Sequence, residues 1–162
     1  MIKAISIENF RCFHNSRFEG FGRVNLFGGK NNAGKTSLLE AILLSNVPTN
    51  RSISFLQSLR GENPVVYFEH PELAWQNYFY NQDKSQRIRL VSTLENGNIR
   101  TEISCEEREK SLNRSRTPIR DEVGEELVPV IDSSVLAEVG NSKLRINAQF
   151  GQQSYLDHIE YS

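Results

Sequence analysis

The eight residues Gly29-Lys30-Asn31-Asn32-Ala33-Gly34-Lys35-Thr36 constrain this chain more than any other stretch, because they fill the pattern GxxxxGK[ST]. A turn of this composition aims successive backbone N–H groups into one concavity, against the positive end of the helix that follows. Gly29 and Gly34 permit backbone angles and close approach that a side chain would block. Lys35 supplies a point charge for β and γ phosphates, and the Thr36 hydroxyl is placed to ligate Mg²⁺. The flanks fit the same reading. Arg23 to Phe27 reads as a short strand before the turn, and Leu38 to Leu44 as a helix apolar on nearly every face.

Composition narrows the setting. At 162 residues the chain is one domain by length. No apolar run reaches membrane-spanning length and the first residues lack the apolar core of a signal peptide, so a cytoplasmic location and no membrane partner are expected. Cys12 and Cys105 stand far apart without a CxxC or Cys/His cluster, which indicates two small buried apolar side chains rather than a zinc site or a disulfide. The net charge of −1 is unevenly spread. Residues 1–60 carry eight Lys/Arg against three Asp/Glu, and residues 61–162 carry eleven against seventeen. The basic part holds the phosphate turn, but the chain lacks an overall basic footprint for DNA.

Read in order, Ile2 to Phe10 is a strand, Arg11 to Ser16 a polar break, and Arg17 to Glu19 a second short strand before the turn Gly20-Phe21-Gly22. Pro48 stops the helix after the phosphate turn. Ser54 to Arg60 has helical spacing, and Pro71 with Glu72 marks another helix start, whose aromatics Trp75, Tyr78 and Phe79 read as a core stripe in preference to a base-stacking platform. Residues 87–94 and 99–105 alternate about Asn96-Gly97 and form the clearest hairpin. Glu106 to Glu126 is charged in both signs and reads as a solvated loop. Leu127 to Asp132 has the apolar run before an aspartate that a Mg²⁺-positioning strand would have, but Pro129 removes a ladder donor and the reading is set aside. Leu144 to Phe150 is a last strand, followed by a polar end without a closing element.

Two stretches together resemble a known family. Ile7-Glu8-Asn9-Phe10-Arg11-Cys12-Phe13 and Val24 through Ile42, in that order and separation, look like the start of the ABC-type ATPases that include RecF, SMC and Rad50 heads, with the closest likeness to OLD-like and AAA15 ATPases. The likeness covers about the first 45 residues. It implies an α/β phosphate-loop NTPase of ABC/SMC-head type, here its N-terminal lobe with an antiparallel β subdomain. It implies ATP and Mg²⁺ as ligands, and a site that two heads complete by docking face to face around the nucleotide.

The same likeness supplies the candidate site. Gly29, Lys30, Asn31, Asn32, Ala33, Gly34, Lys35, Thr36 and Ser37 would bind nucleotide, with Arg11 as a contact to phosphate or base, and Thr36 and Gln82 would face the metal. The Walker B acid, signature motif and switch histidine of the family are expected outside this chain, so catalytic residues stay unassigned. The expected organisation is residues 1–48 for strands, phosphate turn and first helix, 49–105 for helices and hairpin, 106–126 for the charged loop and 127–162 for terminal strands. DNA repair or phage defence is the process the family suggests. Two alternatives stay open. One is a truncated, non-catalytic module that pairs with a full-length ATPase. The other is a different phosphate-loop enzyme such as a small nucleotide kinase, a GTPase being disfavoured by the lack of an NKxD motif.

Overall fold

The computed structural model describes residues 1–109 and 139–161. These form one six-stranded sheet with helices against one face. In chain order the elements are β1 (Ile2–Phe10), β2 (Phe13–Glu19), α1 (Lys35–Asn46), α2 (Asn50–Leu59), α3 (Pro64–Glu69), β3 (Ile88–Leu94), β4 (Gly97–Glu109), β5 (Val139–Phe150) and β6 (Gln153–Tyr161). The strand order is β2-β1-β3-β4-β5-β6 and every neighbouring pair is antiparallel.

Alternation explains which face is buried. Ile5 and Ile7 of β1, Ile88 and Leu90 of β3, Ile103 of β4, and Leu144 and Ile146 of β5 point inward and are fully buried or nearly so. In β1 the period then breaks. Asn9 takes a positive φ of 54°, which puts Phe10 back on the buried face one residue out of phase with a plain strand. Helix α1 lies on this face and buries Leu38, Ala41 and Leu44. A buried hydrogen bond of 2.7 Å from Ser92 Oγ to Ser45 Oγ fastens the last turn of α1 to β3. Trp75 fills the far part of the core, its ring stacked 5.0 Å from that of Tyr161 and its indole N–H donating to the Ser142 carbonyl at 3.4 Å.

Several expectations change. Arg23 to Phe27 is not a strand, because no described strand pairs with it and the Asn25 side chain bonds both the N–H and the carbonyl of Gly22, which folds the segment back on itself. Two strands therefore precede the phosphate turn, and β2 starts at Phe13, which shortens the polar break to Arg11-Cys12. The Pro71 region forms short 3-10 turns at Pro71–Leu73, Gln76–Tyr78 and Tyr80–Gln82, since Trp75 with a φ of 70° interrupts any continuous helix. Trp75, Tyr78 and Phe79 are buried core residues. Glu106 to Glu109 continues β4 instead of opening a loop, because it pairs with the first half of β5. The polar end does contain a closing element, β6, whose register on β5 runs from Ser142↔Tyr161 to Phe150↔Gln153. Leu127 to Asp132 and residues 110–126 lie outside the described residues.

Candidate phosphate-binding site

The phosphate turn sits at the start of α1, and its backbone takes the conformations that its sequence was built to allow. Gly29, Asn32 and Gly34 have φ of 153°, 63° and 84°. Gly34 is the residue that caps α1, in the left-handed region, with no side chain capping the helix and no acid in its first turn. The Leu38 amide is bonded to the Gly34 carbonyl at 2.9 Å. Among the described residues, the amides of Asn31, Asn32, Gly34, Lys35, Thr36 and Ser37 have no protein acceptor. A helix start left without a cap or a compensating charge carries partial positive charge from its orphan N–H groups. The Lys35 ammonium folds over the turn, donating to the Gly29 carbonyl at 2.9 Å and the Lys30 carbonyl at 2.8 Å. It forms no ion pair among the described residues, so its full charge stands at the mouth of the turn.

Gly34 shows why the second glycine is required. A Cβ built there would stand 2.8 Å from Cys12 Sγ and 3.3 Å from Phe13 Cζ. The β1–β2 turn is therefore pressed directly against the phosphate turn. Cys12 itself is exposed, contrary to the expectation of a buried thiol, because it stands at the tip of that turn. Cys105 is partly buried in β4, and burial pushes its thiol pKa up.

Arg11 is engaged within the fold. Its backbone has a φ of 55°, and its side chain, only 6% exposed, donates from Nε to Glu40 at 3.0 Å and from Nη1 to the Asn77 carbonyl at 2.7 Å. The guanidinium also lies 4.1 Å from the Tyr78 ring centroid. Glu40, 5% exposed, accepts in addition from Arg60 Nε at 2.6 Å, and that hydrogen bond holds the Arg60 pKa above its ordinary value. One carboxylate thus ties the β1–β2 turn, α1 and α2 together. Sequence reasoning missed Glu40. The available signal was a single acid inside an otherwise apolar helix, which calls for a buried cation.

Gln82 is exposed, with φ of 61° following Asn81 at 52°, and its side chain has no partner among the described residues. The segment that carries it is held to the β1–β2 turn by the Arg11 amide donating to the Tyr78 carbonyl at 2.8 Å and by a bridge between Phe10 and Phe79. Thr36 and Lys30 to Ala33 are exposed around the turn, whereas Ser37 is half-buried. Among the described residues no three His, Cys, Asp or Glu side chains cluster to hold a metal. No described helix is long and apolar enough to cross a membrane.

The surface beside the turn is apolar and open. Val24 is 91% exposed, Leu26 97% and Leu39 on α1 54%. On α1 itself Leu39 is the one exposed apolar side chain, since Ile42 and Leu43 are half-buried against the core.

Comparison with known proteins agrees with the geometry. The family model described as AAA ATPase domain matches residues 1–155. A Helicobacter pylori protein named ATP/GTP phosphatase is 26% identical over 166 aligned residues, which cover 98% of this chain and 40% of that protein. An uncharacterised Methanocaldococcus jannaschii protein is 34% identical over 79 residues, 49% of this chain and 32% of its own length. The DNA double-strand break repair Rad50 ATPase of Archaeoglobus fulgidus is 44% identical over 45 residues, 28% of this chain and 5% of that protein. The chain thus spans well under half the length of each of these relatives.

Proposed function

The chain belongs to the AAA ATPase domain family, and from that premise we propose that it is the Mg-ATP-binding lobe of an OLD/RecF/SMC-like ATPase. The observation that carries this reading is the uncapped start of α1, where the unpartnered amides from Asn31 to Thr36 surround the Lys35 ammonium. Those amides and Lys35 bind the phosphates, Asn32 lies at the phosphate edge, and the Thr36 hydroxyl, with Ser37 next to it, ligates Mg²⁺. When bound, the metal neutralises charge on the β and γ oxygens. Gln82 is the second metal-facing group. Arg11 supports the site through Glu40 rather than by touching phosphate.

Phosphoryl transfer depends on positioning and on a group that orients the attacking water. No residue from Gly29 to Ser37 is an acid, so this lobe binds Mg-ATP and turns it over only at background rate, and hydrolysis needs the Walker B and signature elements of the family, with a docked head completing the site. Steady-state phosphate release by the purified chain tests this directly. Robust turnover that Lys35→Ala abolishes would contradict the division of labour between this lobe and what completes it.

The exposure of Val24 and Leu26 favours a second reading, in which the chain acts without catalysis by pairing with a longer ATPase that covers them. Copurification with such a partner, in place of a solitary monomer, distinguishes the two.

A further inference from the structure

Along the inner face of the sheet Leu144 and Ile146 of β5 are fully buried, whereas Phe150 is 45% exposed and Tyr155, near the start of β6, 49%. The change comes where α1 ends. Past its last turn lies an open cleft of about 670 Å³, lined by residues 46–49, by Ile99 and Ala148, and by Phe150 and Tyr155. The β5–β6 register pairs Ala148 with Tyr155 and Phe150 with Gln153, so the two aromatics share a face as diagonal neighbours about 7–8 Å apart. Among the described residues no Lys, Arg, His, Asp or Glu lines the cleft. Arg51 of α2, whose charge is felt at Tyr155, stands outside it. The twelve residues of α1 put the cleft roughly 18 Å from the phosphate turn.

We propose that this cleft binds small organic cations through an alkylammonium group. Three observations carry the inference, and none of them involves the phosphate turn. First, α1 ends beside the cleft with its negative pole uncompensated. Its last turn holds no basic residue. Pro48 has no N–H to offer the Leu44 carbonyl, the Thr49 amide donates to Val47 and the Asn50 amide to Asp157, so the carbonyls of Leu44, Ser45 and Asn46 have no donor among the described residues. Leu44 and Ser45 are fully buried, and their dipoles act through space on whatever occupies the cleft. Second, Asp157 adds a full negative charge next to the aromatic wall, accepting from the Tyr155 hydroxyl at 3.3 Å and from the amides of Asn50 and His158 at 2.7 and 2.9 Å. Third, the exposed rings of Phe150 and Tyr155 offer π-faces, which attract a cation most strongly when it carries little water. An alkylammonium meets all three, because its methylene or methyl groups cover Ile99 and Ala148 while its charge faces the rings and the end of α1. The cleft also has the volume of a small-molecule site.

The test is titration of the ¹⁵N-labelled chain, at constant ionic strength, with tetramethylammonium and 1,4-diaminobutane, and with tert-butanol and 1,4-butanediol as neutral molecules of similar shape. Both cations are expected to shift the amides of Val47, Thr49 and residues 149–155 saturably, and the alcohols to bind about fivefold more weakly. Phe150→Leu keeps apolar bulk and removes a π-face, so it is expected to weaken the cations about threefold and leave the alcohols unchanged. Arg51→Ala, which removes the cation outside the cleft, is expected to strengthen cation binding. Circular dichroism checks that each variant is folded, and Phe150, being half-exposed, leaves the core intact when shortened. Alcohols that bind as tightly as the cations, a Phe150→Leu variant that weakens both alike, or no saturable shifts at all would overturn the cation site. A lysine tripeptide capped at both ends that binds more tightly than 1,4-diaminobutane would overturn the small-ligand reading in favour of a protein side chain.

Discussion

Replacing Gly34 by alanine places a methyl group where the structure has none to spare. Gly34 has a φ of 84°, and an L-residue in that region costs about 1–2 kcal/mol. The new Cβ would lie 2.8 Å from Cys12 Sγ and 3.3 Å from Phe13 Cζ, so the β1–β2 turn has to move, which adds about 1 kcal/mol. The sum is about 2–3 kcal/mol, which for a domain of this size lowers the melting temperature by roughly 6–9 °C. The two parts separate in a double variant. Cys12→Ala alone removes an exposed sulfur and leaves the melting temperature nearly unchanged, whereas adding it to Gly34→Ala relieves the sulfur contact and restores roughly 3 °C of the loss. Differential scanning calorimetry of the four proteins measures this directly. A Gly34→Ala variant as stable as the wild type, or a double variant no better than the single one, would show that the close approach of the two turns has been misread.

Glu40→Ala removes the one carboxylate between two arginines and leaves Arg11 buried without its partner, a loss of about 3–5 kcal/mol visible as a lower urea midpoint. Replacing both members, Arg11→Met with Glu40→Leu, recovers most of it, because the uncompensated charge is gone. The third prediction concerns pH. Burial opposes ionisation of Asp157, but the amides of Asn50 and His158 donate to its carboxylate and outweigh it, so its pKa lies below the ordinary 3.8. A depressed carboxylate contributes stability that is complete above the unfolded value and lost as pH falls through the folded one. The contact between β6 and the start of α2 therefore weakens only below about pH 4, and Asp157→Asn flattens that part of the stability curve measured by thermal melts from pH 2 to 6.

Local patterns announced the parts of this fold that depend on local chemistry. The β3–β4 hairpin is there as the alternation predicts, but its turn is Glu95-Asn96 and not Asn96-Gly97: Gly97, at a φ of 133°, is the first residue of β4 and pairs with Leu94. The turn before α1 is equally legible as a glycine turn, since Gly29 and Gly34 take the positive φ that glycine permits and α1 starts directly after Gly34. What stayed hidden depends on partners distant in sequence. Arg23 to Phe27 has strand-like alternation, but alternation cannot say whether a neighbouring strand is there to pair with it, and among the described residues none is. Gln153 to Tyr161 looks polar because it is the sheet's last strand, with few of its side chains buried, and only its register on β5 reveals it. That Arg11 faces Glu40, 29 residues later, is likewise invisible in either segment alone. Tertiary pairing decides these cases, and single-sequence periodicity carries no information on it.

The central claim is that main-chain amides from Asn31 to Thr36, with the Lys35 ammonium, hold a triphosphate. Backbone amide chemical shifts in a ¹⁵N-labelled chain titrated with Mg-tripolyphosphate measure those groups one by one. The account predicts that the largest shifts fall on Asn31 to Thr36 and collapse in Lys35→Ala. Shifts that are absent, or that fall on another surface with the amides of the turn unmoved, would contradict it.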